Sequence, residues 1–183
     1  INADQKSLDL AIKAFGQELK AGGIGLFYFA GHGVQIDGEN YLLPINHGVE
    51  LQRDVKYKAI NVGSVLDEMG YARNGLNIVV LDACRDNPLP KSWSRSSSRG
   101  LSRITNSPRG TFIAYATEPG NVAFDGNGRN GLYTKHLLNA IKKPQREIEL
   151  VFKDILRGVK KESNGRQVPW TSSSFDGEFM FHE

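Results

Sequence analysis

The sequence predicts an α/β fold, with a mainly parallel sheet covered by helices on both faces. Two apolar runs, Ile24–Ala30 and residues 77–81, are too short for helices and rich in aromatic or branched side chains. They are apolar almost throughout rather than alternating, as strands buried on both faces are. Segments with helical spacing alternate with them along the chain, which is the order of an α/β domain.

Each element has its own signal. Residues 4–19 place Leu8, Ala11, Ile12, Phe15 and Leu19 at helical spacing, and Gly22-Gly23 stops that helix. The strand Ile24–Ala30 follows. Within residues 35–44, Asp37-Gly38 lies between Val34-Gln35-Ile36 and Tyr41-Leu42-Leu43, a hairpin signal. Asn61 caps a second helix that carries Val65, Leu66 and Met69 on one face. Residues 77–81 form a second strand and 111–116 a third. Helices follow at 132–141 and 148–159, and residues 178–181 are expected to form a last short strand.

Composition limits the alternatives. A chain of 183 residues with 39% hydrophobic content fills one core, and is read as a single domain over 1–183. No apolar run approaches the roughly 20 residues that span a bilayer, and no basic-then-apolar segment opens the chain. The expectation is a soluble protein, with a cytoplasmic location favoured and no membrane partner. The chain starts at Ile1 rather than Met, which is read as a processed, trimmed or partly represented N-terminus. A single cysteine forms no internal disulfide, so its role rests on its thiol.

The net charge of +3 is unevenly spread. Between Arg85 and Arg109 the basic residues are Arg85, Lys91, Arg95, Arg99, Arg103 and Arg109, against the single acid Asp86. The same stretch holds Pro88, Pro90, Ser92, Ser94, Ser96, Ser97 and Ser98. It reads as a flexible, solvated linker over about residues 88–109, between parts at about 1–90 and 110–183. A nucleic-acid role would rest on this basic loop alone, and no nucleic-acid partner is expected.

Two tripeptides carry the chemistry. Gly31-His32-Gly33 closes the run GIGLFYFAGHG, and Ala83-Cys84-Arg85 closes LNIVVLDACRD, so an imidazole and the only thiol emerge at strand C-termini. In an open α/β sheet that edge collects ligands and reacting groups. A cysteine with a spatially adjacent histidine is a nucleophile with its proton-transfer partner. Singly, a buried cysteine is more often an inert small hydrophobe and a histidine a packing residue. Together, at strand ends, they point to a cysteine peptidase. His47, His136 and His182 lack such context and are read as structural.

The stretches FYFAGHGVQIDGENYLLPIN, VVLDACRDNP, GTFIAYATEPGNVAFDG and NGLYTKHLL resemble the caspase-like cysteine peptidases, peptidase family C14, closest to the bacterial metacaspase and paracaspase-like branch. His32 lies 52 residues before Cys84, in keeping with the spacing in caspases of roughly 50. The resemblance implies a three-layer α/β/α sandwich around a six-stranded, mostly parallel sheet of order 2-1-3-4-5-6, the last strand antiparallel. The family's first strand, helix and second strand have no counterpart before Asp4, so Ile24–Ala30 would be the third strand. An N-terminal segment of the same domain is therefore expected to complete the sheet.

The resemblance also assigns roles. Cys84 is the nucleophile, His32 the acid and base, and the N–H groups of Gly33 and Cys84 are the oxyanion donors. Asp82, two residues before the nucleophile, and Asp125 match pocket acids of relatives that cleave after arginine or lysine. Asp82 reads alternatively as a turn or cap acid, and Asp125-Gly126-Asn127-Gly128 as an ordinary turn. Ala123 and Phe124 would hold the substrate backbone and form an apolar wall, with Tyr115 and Ala116 lining the same cleft. Lys91, Arg95, Arg99 and Arg103 become candidate self-cleavage sites. The expected partner is a peptide or protein with a basic P1 residue; the alternatives are a peptidase of different P1 preference and a catalytically silent scaffold.

No metal or other cofactor is expected. Several metacaspases of this kind need calcium, but the chain has no continuous oxygen-rich loop. Asp37, Glu39, Asp125 and Asn127 would contribute to a calcium site only if folding gathers them, and turn formation explains them equally well.

Overall fold

A computed structural model describes residues 2–83, 100–119, 121, 123–124 and 130–182. Helix α1 (Gln5–Leu19) is opened by Asp4, whose side chain accepts a hydrogen bond from the Ser7 N–H. Strand β1 (Ile24–Ala30) follows. The chain then turns into a hairpin of β2 (Gly33–Ile36) and β3 (Glu39–Leu42). Its two turn residues, Asp37 and Gly38, both have positive φ, the conformation that matches the twist of the flanking strands.

A short helix α2 (Val55–Lys58) and strand β4 (Ile60–Asn61) lead into α3 (Val62–Ala72), capped by Asn61 as expected. Strand β4 adds to the hairpin and makes a small antiparallel sheet of order β2-β3-β4, a third strand that the sequence did not signal. Val34, Ile36, Tyr41, Leu43, Val49, Val55 and Ala59 form a separate small core with it.

The main sheet of the described residues adds β5 (Leu76–Asp82), β6 (Thr111–Tyr115) and β7 (Trp170–Ser173) to β1, in the order β1-β5-β6-β7. Strands β1, β5 and β6 are parallel and β7 is antiparallel. Strands β5 and β6 are buried at every position. Because successive side chains point to opposite faces, both faces of the sheet must be covered. The cover is supplied by α1 with α3, and by α4 (Leu132–Ala140) with α5 (Ile148–Glu162). From β1 onward the order is that expected of strands three to six.

The last strand is a correction. Residues 178–181 make only one bridge, Met180 with Glu147, while Phe179 and Phe181 stack edge to face and pack on the core. Trp170–Ser173 takes the ladder instead, with Tyr115 opposite Trp170 and Phe112 opposite Ser173. At a sheet edge hydroxyl side chains are tolerated on the exposed positions, so the less apolar segment forms the strand. Of the linker expected over about residues 88–109, the described residues 101–104 are anchored to the domain. Leu101 is in the core, Ser102 exchanges hydrogen bonds with Asn40, and the Ile104 N–H donates to the Tyr115 hydroxyl.

Strand β1 is the outer strand of this sheet, and Ile24, Leu26 and Tyr28 on one of its faces are about half exposed. At the opposite side, Asp154 of α5 holds the α4–α5 connection by accepting from Arg146 at 2.6 Å and Lys143 at 3.0 Å. The Arg146 hydrogen bond, then that of Lys143, keeps its carboxyl below the usual range. A lowered folded value means that the stabilisation is complete above the ordinary carboxylate range and is lost as pH falls through the lowered value. Asp154→Asn should therefore cost up to about 1 kcal/mol at neutral pH and nothing in strong acid, read from urea unfolding at the two pH values.

Candidate active site

The parallel pairing of β1 with β5 runs in register from Ile24 opposite Leu76 to Ala30 opposite Asp82. One step further, the Gly31 N–H donates to the Asp82 carbonyl at 3.1 Å, and the Leu43 N–H donates to the His32 carbonyl at 2.9 Å. His32 is thus fixed by its neighbours on both sides, with an exposed side chain. Cys84 follows Ala83 directly and lies outside the described residues, as do Lys91, Arg95, Arg99 and Asp125. The backbone leading to Cys84 therefore ends beside the backbone that carries His32.

Gly33 shows how close that approach is. A Cβ built there would stand 2.6 Å from the Ala83 carbonyl oxygen and 2.9 Å from Leu101 Cδ2. Only glycine lets β2 start against the residue that precedes Cys84.

Asp82 is 2% exposed, and no other carboxylate is buried among the described residues. Its Oδ2 accepts from the Thr134 hydroxyl at 2.6 Å, and the Thr134 oxygen lies 2.6 Å from the Tyr28 hydroxyl. An ionised carboxylate only accepts, and threonine has one hydroxyl proton. Thr134 therefore donates to Asp82, and Tyr28 donates to Thr134. Thr134 stands in the first turn of α4, whose dipole also favours a negative charge. Beside it, Tyr133 is fully buried, its hydroxyl has no hydrogen-bond partner among the described residues, and it titrates well above the usual tyrosine range. Burial is the larger cause, and the charges of Asp82 and then Tyr28 add to it.

The third parallel strand delivers the expected substrate-binding stretch. Ala123 is buried and Phe124 is partly exposed. The Phe124 N–H donates to Gln167 Oε1 at 2.9 Å, and its carbonyl accepts from the Leu132 N–H at 3.3 Å. Both backbone groups of Phe124 are thus turned inward. The Arg166 guanidinium lies over the Phe124 ring at 5.0 Å. Gln167 is fully buried, and its amide also donates to the Ala116 carbonyl at 2.8 Å. It ties the end of β6 to the stretch that follows.

Several expectations need relocation. Tyr115 and Ala116 are interior residues, not the lining of an open cleft, and their polar groups serve Ile104 and Gln167. Arg103 is stacked over Trp170 at 4.8 Å. Asp37 pairs with Lys56, and Glu39 accepts from Tyr41 and Asn61. His47 accepts from the Val49 N–H and His136 pairs with Glu162, consistent with structural roles. Tyr28, Thr134 and Gln167 were not foreseen from the sequence; their signals there are a hydroxyl residue in an apolar helix turn and a glutamine just before Val168-Pro169-Trp170.

A three-layer α/β domain with histidine and cysteine motifs ending adjacent parallel strands has the architecture of a caspase-type domain. The caspase domain family model (peptidase C14) matches residues 1–180, and the chain belongs to this family. Among solved structures, it is similar to the Drosophila initiator caspase Dronc, with a TM-score of 0.63 at 12% identity. The alignment covers 98% of this chain and 65% of that one, so the chain spans about two thirds of the length of that relative. At this identity the likeness is one of fold. No curated protein matched the chain.

Gln167→Leu tests the clamp on the substrate-binding stretch. It leaves a partly buried N–H and a buried carbonyl without their partner and should cost about 2 kcal/mol in denaturant unfolding. Hydrogen exchange at the Phe124 amide should quicken more than at the amides of β5.

Proposed function

We propose that this chain carries the catalytic machinery of a cysteine endopeptidase that cleaves after arginine or lysine. The observation that carries the reading is the β1–β5 pairing, which brings the His32 motif beside the end of the strand that stops at Asp82, two residues before Cys84 in sequence. In this reading the Cys84 thiolate attacks the scissile carbonyl, and the tetrahedral oxyanion is held by the N–H groups of Gly33 and Cys84. The C–N bond breaks as His32 gives a proton to the leaving amine. A water molecule deprotonated by His32 then hydrolyses the acyl-enzyme and releases the thiol.

The buried carboxylate of Asp82 supports a cationic P1 side chain and opposes an anionic one, through charge and desolvation. Asp125 is proposed as a second acid of that pocket. With both backbone groups of Phe124 turned inward, substrate pairing falls to Ala123 and Asp125 on either side, and the Phe124 ring forms an apolar wall. Lys91, Arg95 and Arg99 are proposed self-cleavage sites. Arg103 joins them only if the segment anchored by Ser102 leaves its seat. A further segment of the same domain is proposed to pair with the outer edge of β1 and cover Ile24, Leu26 and Tyr28.

Matched fluorogenic peptides ending in Arg, Lys, Asp or Asn, with and without calcium, test the reading. Cleavage is expected after Arg and Lys, abolished by Cys84→Ala, and lowered at least about thirtyfold in kcat/KM by Asp82→Asn. Cleavage after Asp that survives Asp82→Asn would contradict the assigned pocket. No cleavage of any peptide would leave either a catalytic domain lacking its N-terminal strands or a caspase-like scaffold.

A further inference from the structure

Thr134 occupies an unusual position for a helix hydroxyl. In a helix, threonine commonly returns its hydroxyl to a backbone carbonyl one turn earlier. Here the hydroxyl leaves α4 and meets the carboxylate of Asp82, while the Tyr28 hydroxyl reaches the Thr134 oxygen from β1. The three side chains come from three separate elements, α4, β5 and β1. Tyr28 fixes the direction of the chain by occupying the acceptor side of Thr134, so that the single Thr134 proton is committed to Asp82.

We propose that Thr134 is a specificity-determining positioning residue, which orients the Asp82 carboxylate and keeps it anionic for a guanidinium or ammonium side chain at P1. The inference rests on the reading of Asp82 as the P1 acid. A hydrogen bond to an ionised group is stronger than one between neutral groups, and a buried carboxylate that loses a donor turns elsewhere or takes up a proton more readily. Either response weakens its hold on a cation. Tyr28, 41% exposed on the outer strand, acts one step further away by holding Thr134.

The role predicts an effect on charge recognition beyond any effect on stability. In the Cys84→Ala protein, calorimetry would compare two peptides that differ only at P1, one with arginine and one with its neutral isostere citrulline. The parent should prefer arginine by at least about tenfold, and Asp82→Asn should remove the preference. Thr134→Val, which keeps the shape and removes the hydroxyl, should reduce the preference about tenfold. Thr134→Ser should restore it, and Tyr28→Phe should reduce it severalfold.

The failures are distinguishable. A parent that binds neither peptide, or binds both equally, overturns the reading of Asp82 and the role of Thr134 with it; so does a preference that survives Asp82→Asn. A preference lost in Asp82→Asn but unchanged in Thr134→Val leaves the pocket reading standing and overturns the proposal. If Thr134→Val gives no cooperative unfolding transition, the partly exposed Tyr28→Phe decides, and an unchanged preference there overturns the proposal.

Discussion

The parallel pairing of β1 with β5 is the constraint on which the rest of the molecule depends. Its register ends with Ala30 opposite Asp82, and the Gly31 to Asp82 hydrogen bond extends it by one residue. A slip of one residue would turn every side chain of one strand to the opposite face. The fully buried face pattern of β5 resists such a slip, because each of its seven positions is packed. The ends of the two strands that lead into the motifs therefore lie side by side at one sheet edge as a consequence of core packing. Gly33 then allows the backbone to close against Ala83, where any side chain would hold the strands apart.

Asp82 carries the cost of this arrangement. A carboxylate at 2% exposure loses most of its hydration, and core positions of this kind are normally apolar. The chain offsets that loss with a hydroxyl from α4 that is itself held by a hydroxyl from β1. Packing alone does not require such a network, since a leucine or valine would fill the same space with less desolvation. Its presence beside the strand that leads to Cys84 is the physical reason to read it as functional. Gln167 has a comparable place on the other side, where one buried amide holds both Ala116 and the Phe124 backbone.

The sheet, the hairpin and the major helices were legible because each had a local signal: apolar runs without alternation, Asp37-Gly38 between strands, and Asn61 before an apolar helix face. Strand β7 was not, because its Thr171, Ser172 and Ser173 lack the apolar pattern carried by Phe179 and Phe181. Which of the two segments joins the ladder depends on partners far away in sequence. The histidine and cysteine motifs stand out in the sequence by position and spacing, and the fold brings His32 beside Ala83, the residue before Cys84. Tyr28, Thr134 and Gln167 do not stand out, since a polar side chain shows its role only when the fold brings its partner to it. Tyr28 and Thr134 are 106 residues apart, and Phe124 and Gln167 are 43 apart.

Cys84 and His32 are proposed to work as nucleophile and proton-transfer partner in a site that takes a basic P1 side chain. The most direct measurement is the intact mass of the protein after exposure to a peptidyl electrophile with arginine at P1, beside the same electrophile with aspartate. A single adduct on Cys84 is predicted with the arginine compound, formed much more slowly with the aspartate compound and slowed by His32→Ala. Equal labelling by both compounds, or labelling untouched by the loss of His32, would contradict the account.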